Sequence, residues 1–96
     1  MIVKESEIFT KWFEKLKDKM LVMIIARAIH KVKLNNFSNC KAVGEGIHEI
    51  KINYQKGYRV YFTNIDGQII LLLCGGDKST QQKDIQKAKQ IKKIYE

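Results

Sequence analysis

The chain has 96 residues and carries 18 Lys and Arg against 10 Asp and Glu, which gives a formal net charge of +8. This length predicts one domain, residues 1–96, with a modest core of helices on a sheet. The charge favours polyanionic partners, nucleic acid first and an acidic protein second, because solubility alone would not favour one sign of charge.

The distribution of apolar residues and cysteines excludes several classes of protein. No apolar run approaches the roughly 20 residues that span a bilayer, and the N-terminus lacks a signal-peptide pattern. Cys40 and Cys74 are too few, and wrongly spaced, for a disulfide framework or a zinc site. We therefore expect a cytoplasmic protein with no membrane association, no metal and no cofactor.

The N-terminal part of the chain is predicted to form a short edge strand over residues 1–4, followed by two amphipathic helices. Ser6 is a typical N-cap for a helix ending near Lys17, and Asp18 caps a second helix that stops at Asn35-Asn36. The short connection predicts an antiparallel helical hairpin. Apolar residues follow helical spacing at Ile8, Phe9, Trp12, Phe13 and Leu16, and at Leu21, Ile24, Ile25, Ala28 and Val32.

Three antiparallel strands are predicted after a loop over residues 35–46, in which one more short strand is an alternative. The first begins at Ile47, the second covers Tyr58 to Thr63, and the third covers Gln68 to Cys74. The third strand is apolar on both faces and should be the most buried.

A lysine-rich helix is predicted at the end of the chain. Ser79 and Gln82 match a capping box. The apolar residues behind them form a narrow stripe at Ile85, Ala88, Ile91 and Ile94.

Basic residues are predicted to meet at one edge of the sheet. Lys51 and Arg59 lie on neighbouring strands, and Lys78 lies in a loop after the Gly75-Gly76 pair. Clustered cations can hold a phosphodiester and can stabilise the charge that develops during its cleavage. A phosphodiester-binding site is therefore a hypothesis from the residues alone.

Four segments resemble a known family. They are Phe9, Trp12, Phe13 and Leu16 in the first helix, the run from Lys41 to Ile52, the run from Gly57 to Phe62, and the run from Leu72 to Gln81. Through them the chain resembles the RelE/ParE superfamily of toxins from type II toxin–antitoxin modules. Within that superfamily it is similar to the HigB-like, phage-derived branch of addiction-module killer proteins.

The resemblance implies an α+β fold, with an N-terminal α-helical hairpin packed on a twisted antiparallel β-sheet and followed by a C-terminal helix. It implies a ribosome-dependent mRNA endoribonuclease that inhibits translation. The 2′-hydroxyl of the RNA attacks the adjacent phosphorus without a metal. The implied partners are the ribosome, mRNA and a helix-turn-helix antitoxin. Two alternatives are a ParE-like inhibitor of DNA gyrase, which needs no catalytic residues, and a basic nucleic-acid-binding domain.

Four residues are candidates for catalysis. Arg59 matches the family's strand arginine and offers two-pronged contact with phosphate, the alternative being a surface ion pair with Glu49. Lys51 is a general base or acid, since neighbouring cations disfavour its ammonium form, or else a phosphate contact. Glu49 competes for the base role or serves as a counter-ion. Lys78 stands where better-known members have arginine, and its alternative is a solvated turn residue.

Five residues are candidates for RNA contact. Tyr61 lies on the face of Arg59 and is expected to stack on a base or to fill the core. His48 and Tyr54 are expected to replace the C-terminal tyrosine or histidine of several relatives, although a packed or rim histidine is the commoner role for His48. Lys83 and Lys87 represent the basic final helix, which either contacts RNA or is simply solvated.

Overall fold

The computed structural model describes residues 1–95 as a five-stranded sheet with helices on both faces. The elements, in chain order, are β1 (Ile2–Glu5), α1 (Glu7–Glu14), α2 (Lys19–Lys33), β2 (Cys40–Gly44), β3 (Ile47–Ile52), β4 (Tyr58–Ile65), β5 (Ile69–Asp77), a 3-10 turn (Lys78–Thr80) and α3 (Gln81–Tyr95). The order across the sheet is β1-β5-β4-β3-β2. Strand β1 is parallel to β5, and all other neighbours are antiparallel. The α+β class is confirmed. None of the described helices is long and apolar enough to cross a bilayer.

Helices α1 and α2 cover one face of the sheet. Both predicted N-caps are confirmed, because the side chain of Ser6 accepts from the amide of Phe9 and Asp18 accepts from the amides of Met20 and Leu21. Helix α1 ends at Glu14, earlier than the predicted Lys17. The apolar stripes of both helices pack on alternate residues of the central strands. The buried residues of this core, from helices and strands together, are Phe9, Leu21, Ile25, Val32, Ile50, Ile52, Val60, Phe62, Ile70 and Leu72.

Helix α3 covers the opposite face. Its residues Ile85, Ala88 and Ile91 are buried against the sheet, whereas Ile94 is 76% exposed and lies outside the predicted stripe. The predicted Ser79–Gln82 capping box is wrong: Asp77 accepts from the amide of Ser79 and caps the 3-10 turn that precedes α3. With a helix on each face, β5 is buried on both sides, as its composition predicts.

Strands β4 and β5 extend beyond the predicted strands and leave only a short hairpin loop. Asp66 and Gly67 both have positive φ, at 54° and 68°, which is the geometry of a tight turn between twisted strands. At the other end, Gly75 and Gly76 belong to β5, so they are not a loop as predicted. A side chain at Gly75 would meet the ring of Trp12, and one at Gly76 would meet the carboxylate of Asp84. These glycines therefore let two helices approach the sheet.

Candidate active site

A cavity of about 430 Å³ opens where β3 and β5 end and β4 begins, and it brings together the three cations predicted from the sequence. It is lined by Lys51, Ile52, Asn53, Gln55, Lys56, Gly57, Arg59 and Lys78. A pocket of this size falls within the range of ligand-binding sites, roughly 300 to 1,000 Å³. Among the described residues, its lining contains basic and amide side chains and no carboxylate, so it suits an anion.

The strand register determines how the cations meet. Lys51 of β3 lies directly opposite Arg59 of β4, and Arg59 lies opposite Gly76 of β5. The chain then leaves β5, and the amide of Lys78 donates a 2.9 Å hydrogen bond to the carbonyl of Gly57 in the β3–β4 loop. Gly57 has a φ of 78° and a Cβ there would lie 3.7 Å from Nη1 of Arg59. The hydrogen bond from Lys78 to Gly57 therefore holds the end of β5 against the β3–β4 loop beside Arg59.

Arg59 is held in place by a buried carboxylate. Its Nε lies 3.6 Å from Oε1 of Glu49, and the two residues are 8% and 4% exposed. Oε2 of Glu49 accepts a 2.9 Å hydrogen bond from Nε2 of Gln81, the first residue of α3. Glu49 does not line the cavity. This geometry suits a counter-ion that orients Arg59. It is one of the two roles predicted for Glu49, the other being proton acceptance.

Lys56 is a fourth cation of the cavity that sequence reasoning missed. Its Nζ lies 3.2 Å from Oδ2 of Asp77. The hydrogen bonds from the hydroxyl and amide of Ser79, together with Lys56, keep the pKa of Asp77 below its usual range. The sequence did contain a signal for Lys56, since this lysine directly precedes the turn residue Gly57 in the polar loop between β3 and β4. This ion pair ties that loop to the end of β5.

Three predicted RNA contacts lie outside the cavity. Tyr61 is fully buried, so its ring has no face free for a base, and the core alternative is correct. Burial and the charge of Glu49 raise the pKa of its phenol. Tyr54 donates a 2.9 Å hydrogen bond to Oδ2 of Asp18, the cap of α2. His48 stacks on Phe62 at 5.3 Å, on the sheet face opposite Arg59.

The lysines of the final helix also lie away from the cavity. Lys83 and Lys87 are exposed on α3 and do not line it. Their role in RNA contact stays a prediction. Within residues 1–95 no group of three or more His, Cys, Asp or Glu side chains could hold a metal ion.

The fold is similar to that of several solved structures. The RelE–RelB toxin–antitoxin complex of Escherichia coli matches with a TM-score of 0.67 and 18% identity, over 79% of this chain and 94% of the other. A mutant of E. coli RelE in the free state matches with a TM-score of 0.67 and 16% identity, over 94% and 96%. The same mutant toxin bound to an antitoxin RelB peptide gives a TM-score of 0.64 at 15% identity, over 86% and 92%. The RelE-like fold implied by the sequence is confirmed.

The sequence itself matches a family model and one relative. An uncharacterized protein of Haemophilus influenzae is 44% identical over 87 residues, which cover 91% of this chain and 88% of that protein. The model of "Phage derived protein Gp49-like (DUF891)" matches residues 9–96. This chain belongs to the family of phage-derived Gp49-like proteins and has the fold of the RelE superfamily, as its sequence motifs imply.

Proposed function

We propose that the protein is the toxin of a type II toxin–antitoxin module and that it acts in the cytoplasm as a ribosome-dependent mRNA endoribonuclease. The observation that carries the proposal is the cavity at which Lys51, Arg59 and Lys78 meet. The RelE-like fold supports the toxin assignment. The RNA substrate and the dependence on the ribosome are inferred from the family resemblance.

The reaction is a transfer within the RNA. The ribose 2′-oxygen forms a bond to the adjacent phosphorus while the bond from phosphorus to the 5′-oxygen breaks, which leaves a 2′,3′-cyclic phosphate and a 5′-hydroxyl. Negative charge builds on the phosphate oxygens, where a guanidinium and an ammonium are worth most in a site with little water. Arg59, oriented by Glu49, binds these oxygens. Lys78 also lines the cavity and donates the proton that the departing 5′-oxygen needs.

Lys51 is the better candidate for the proton acceptor. It is exposed and lines the cavity next to Arg59. Glu49 is buried, and its two oxygens already face Arg59 and Gln81. A base must come within hydrogen-bond reach of the hydroxyl that it deprotonates. We therefore assign proton acceptance to Lys51 and orientation of Arg59 to Glu49.

An antitoxin is the proposed protein partner. The E. coli toxin of the same fold occurs in solved complexes with its antitoxin RelB. A net charge of +8 favours a partner with acidic segments. The helix-turn-helix class of that antitoxin follows from the family resemblance.

The test is primer extension on cellular transcripts after brief induction. The wild type should give discrete breaks within translated codons. Lys51→Ala and Lys78→Ala should abolish these breaks, because they remove the proposed proton acceptor and proton donor. Both side chains are exposed, so their removal should leave the fold intact. Lys17→Ala, an exposed lysine between α1 and α2, is the matched control and should cut like the wild type.

Two results would count against the endoribonuclease. Intact transcripts together with double-strand DNA breaks would favour the gyrase inhibitor. Intact transcripts without DNA damage, in cells that still stop growing, would favour a basic nucleic-acid-binding domain that blocks its target without chemistry.

A further inference from the structure

A second, smaller cavity adjoins the first along helix α2. It measures about 190 Å³ and is lined by Ile24, Arg27, Ala28, Lys31, Asn39, Lys51, Ile52 and Asn53. The first cavity is also lined by Lys51, Ile52 and Asn53, so the two adjoin at these residues, and together we call them the groove. Arg27 and Lys31 are separated by one helical turn and present their side chains on one face of α2.

Three of the cations that line this groove have no carboxylate partner among the described residues. Within residues 1–95, Arg27, Lys31 and Lys51 form no ion pair with a carboxylate. In the same part of the chain, no Asp or Glu lines either cavity. Like charges four residues apart on a helix destabilise it by a few tenths of a kcal/mol. An arrangement that is unfavourable in the free protein becomes favourable when an anion lies between the cations.

The fixed backbone around the groove suits a strand of phosphates. The amide of Lys51 donates a 3.0 Å hydrogen bond to the carbonyl of Asn39, which holds the loop before β2 against β3. The side-chain amides of Asn39 and Asn53 add neutral donors and acceptors to the lining. Lys51 lies at the junction of the two cavities, so a strand with one phosphate at Arg59 passes Lys51 before it reaches α2.

We infer that Arg27 and Lys31 form a second phosphate subsite, which binds a neighbouring phosphodiester of the same RNA strand that is cut between Lys51, Arg59 and Lys78. The inference rests on the proposed function, because it takes the scissile linkage to lie in the first cavity. The strand then runs from the end of β5, across β3, to the exposed face of α2. Its second phosphate fixes the direction in which the RNA enters the cleavage site.

Binding of RNA that cannot be cut tests the inference apart from catalysis. The probes are a dinucleotide with a 2′-O-methyl group at the linkage and a longer strand that extends the same dinucleotide by a few nucleotides at each end. Arg27→Ala with Lys31→Ala should weaken the longer strand about tenfold and leave the dinucleotide unchanged. The slope of log affinity against log salt should also fall by about 0.7, since each phosphate bound from a single strand contributes about 0.7.

Matched variants separate a local site from a general charge effect. Lys15→Ala with Lys17→Ala removes the same charge near the end of α1 and should leave both affinities unchanged. Arg27→Lys with Lys31→Arg keeps both charges and should retain binding of the longer strand.

Two outcomes would overturn the inference. One is wild-type affinity of the Arg27 and Lys31 double variant for the longer strand; if this variant also fails to cosediment with ribosomes, the two cations bind ribosomal RNA instead. The other is equal weakening of both probes, which indicates a long-range charge effect. Breaks in translated mRNA, measured with the wild type, report separately on the proposed function.

Discussion

Glu49 and Arg59 form a buried ion pair on which the candidate site depends. The pair is diagonal across β3 and β4, because Glu49 lies opposite Tyr61 and Arg59 lies opposite Lys51. Removing one partner of such a pair leaves an uncompensated charge and typically costs about 3 to 5 kcal/mol. Glu49→Ala should therefore lower the free energy of unfolding by a few kcal/mol, measured by urea denaturation.

Glu49→Gln separates the two roles weighed for this residue. The amide keeps the shape and can still accept from Gln81, so the loss of stability should be smaller than in Glu49→Ala. If Glu49 only orients Arg59, this variant should retain more cleavage than Lys51→Ala. Complete loss of cleavage in a folded Glu49→Gln protein would assign proton acceptance to Glu49 instead.

Asp18 connects helix capping to the dependence of stability on pH. Hydrogen bonds from the amide of Leu21 and the hydroxyl of Tyr54 lower the pKa of Asp18, and the hydrogen bond to Asp18 raises the pKa of Tyr54. An Asp whose pKa is lower in the folded state stabilises the fold above its unfolded pKa of about 3.9. This stabilisation is lost as the pH falls through the folded pKa. We expect Asp18→Asn, which remains a good cap, to flatten the decline in the urea midpoint between about pH 5 and pH 2.

Tyr54→Phe tests whether Tyr54 supports the fold or contacts RNA. Loss of its hydroxyl removes the bond to Asp18 and should lower the urea midpoint slightly. Because Tyr54 does not line the cavity, mRNA cleavage should stay at the wild-type level. A loss of cleavage without a loss of stability would restore the RNA role expected from the sequence.

Among the secondary-structure elements, β5 shows why glycines are hard to interpret from sequence. The Gly75-Gly76 pair predicts a loop, yet both residues continue the strand beneath Trp12 and Asp84. We expect Gly75→Ala to reduce the free energy of unfolding by about 1 to 3 kcal/mol, since the new methyl overlaps the Trp12 ring. Ser38→Ala, in the exposed loop before β2, should change it little. Equal stability of the two variants would show that α1 can shift without loss.

Most of the fold could be predicted because its signals are local. The caps at Ser6 and Asp18, the Asp66-Gly67 turn and the alternation from Ile47 all lie within a few residues of the structure that they specify. The parallel pairing of β1 with β5 joins segments far apart along the chain, so no local pattern reveals it.

The candidate site divides in the same way. Alternation along β3 and β4 placed Lys51, Arg59 and Tyr61 on one face of the sheet. This alternation could not show where α3 covers that face. Helix α3 buries the face at Tyr61 and leaves it open at Lys51, because the position of a helix depends on packing across the whole sheet. The contribution of Lys56 depends on a loop contact with Asp77, which no periodicity predicts.

In the molecule as a whole, the sheet separates the candidate site from the basic face of α3. The candidate site opens where β3 and β5 end, whereas α3 presents exposed lysines along its outer face. Charge that lies away from a site attracts an RNA-rich target over a distance of about one Debye length, and this attraction falls as salt rises. Association with the ribosome should therefore depend on α3 even where catalysis does not.

Lys83→Gln with Lys87→Gln tests this separation, because glutamine removes charge with little change in helix propensity. We expect weaker cosedimentation with ribosomes, and a slope of log affinity against log salt that falls by about 0.7 for each phosphate that the variant no longer binds. The urea midpoint should hardly change, since both side chains are exposed. Lys15→Gln with Lys17→Gln removes the same charge from the other face of the sheet. If both pairs weaken binding equally, net charge alone draws the protein to the ribosome, and α3 is only a solvated face.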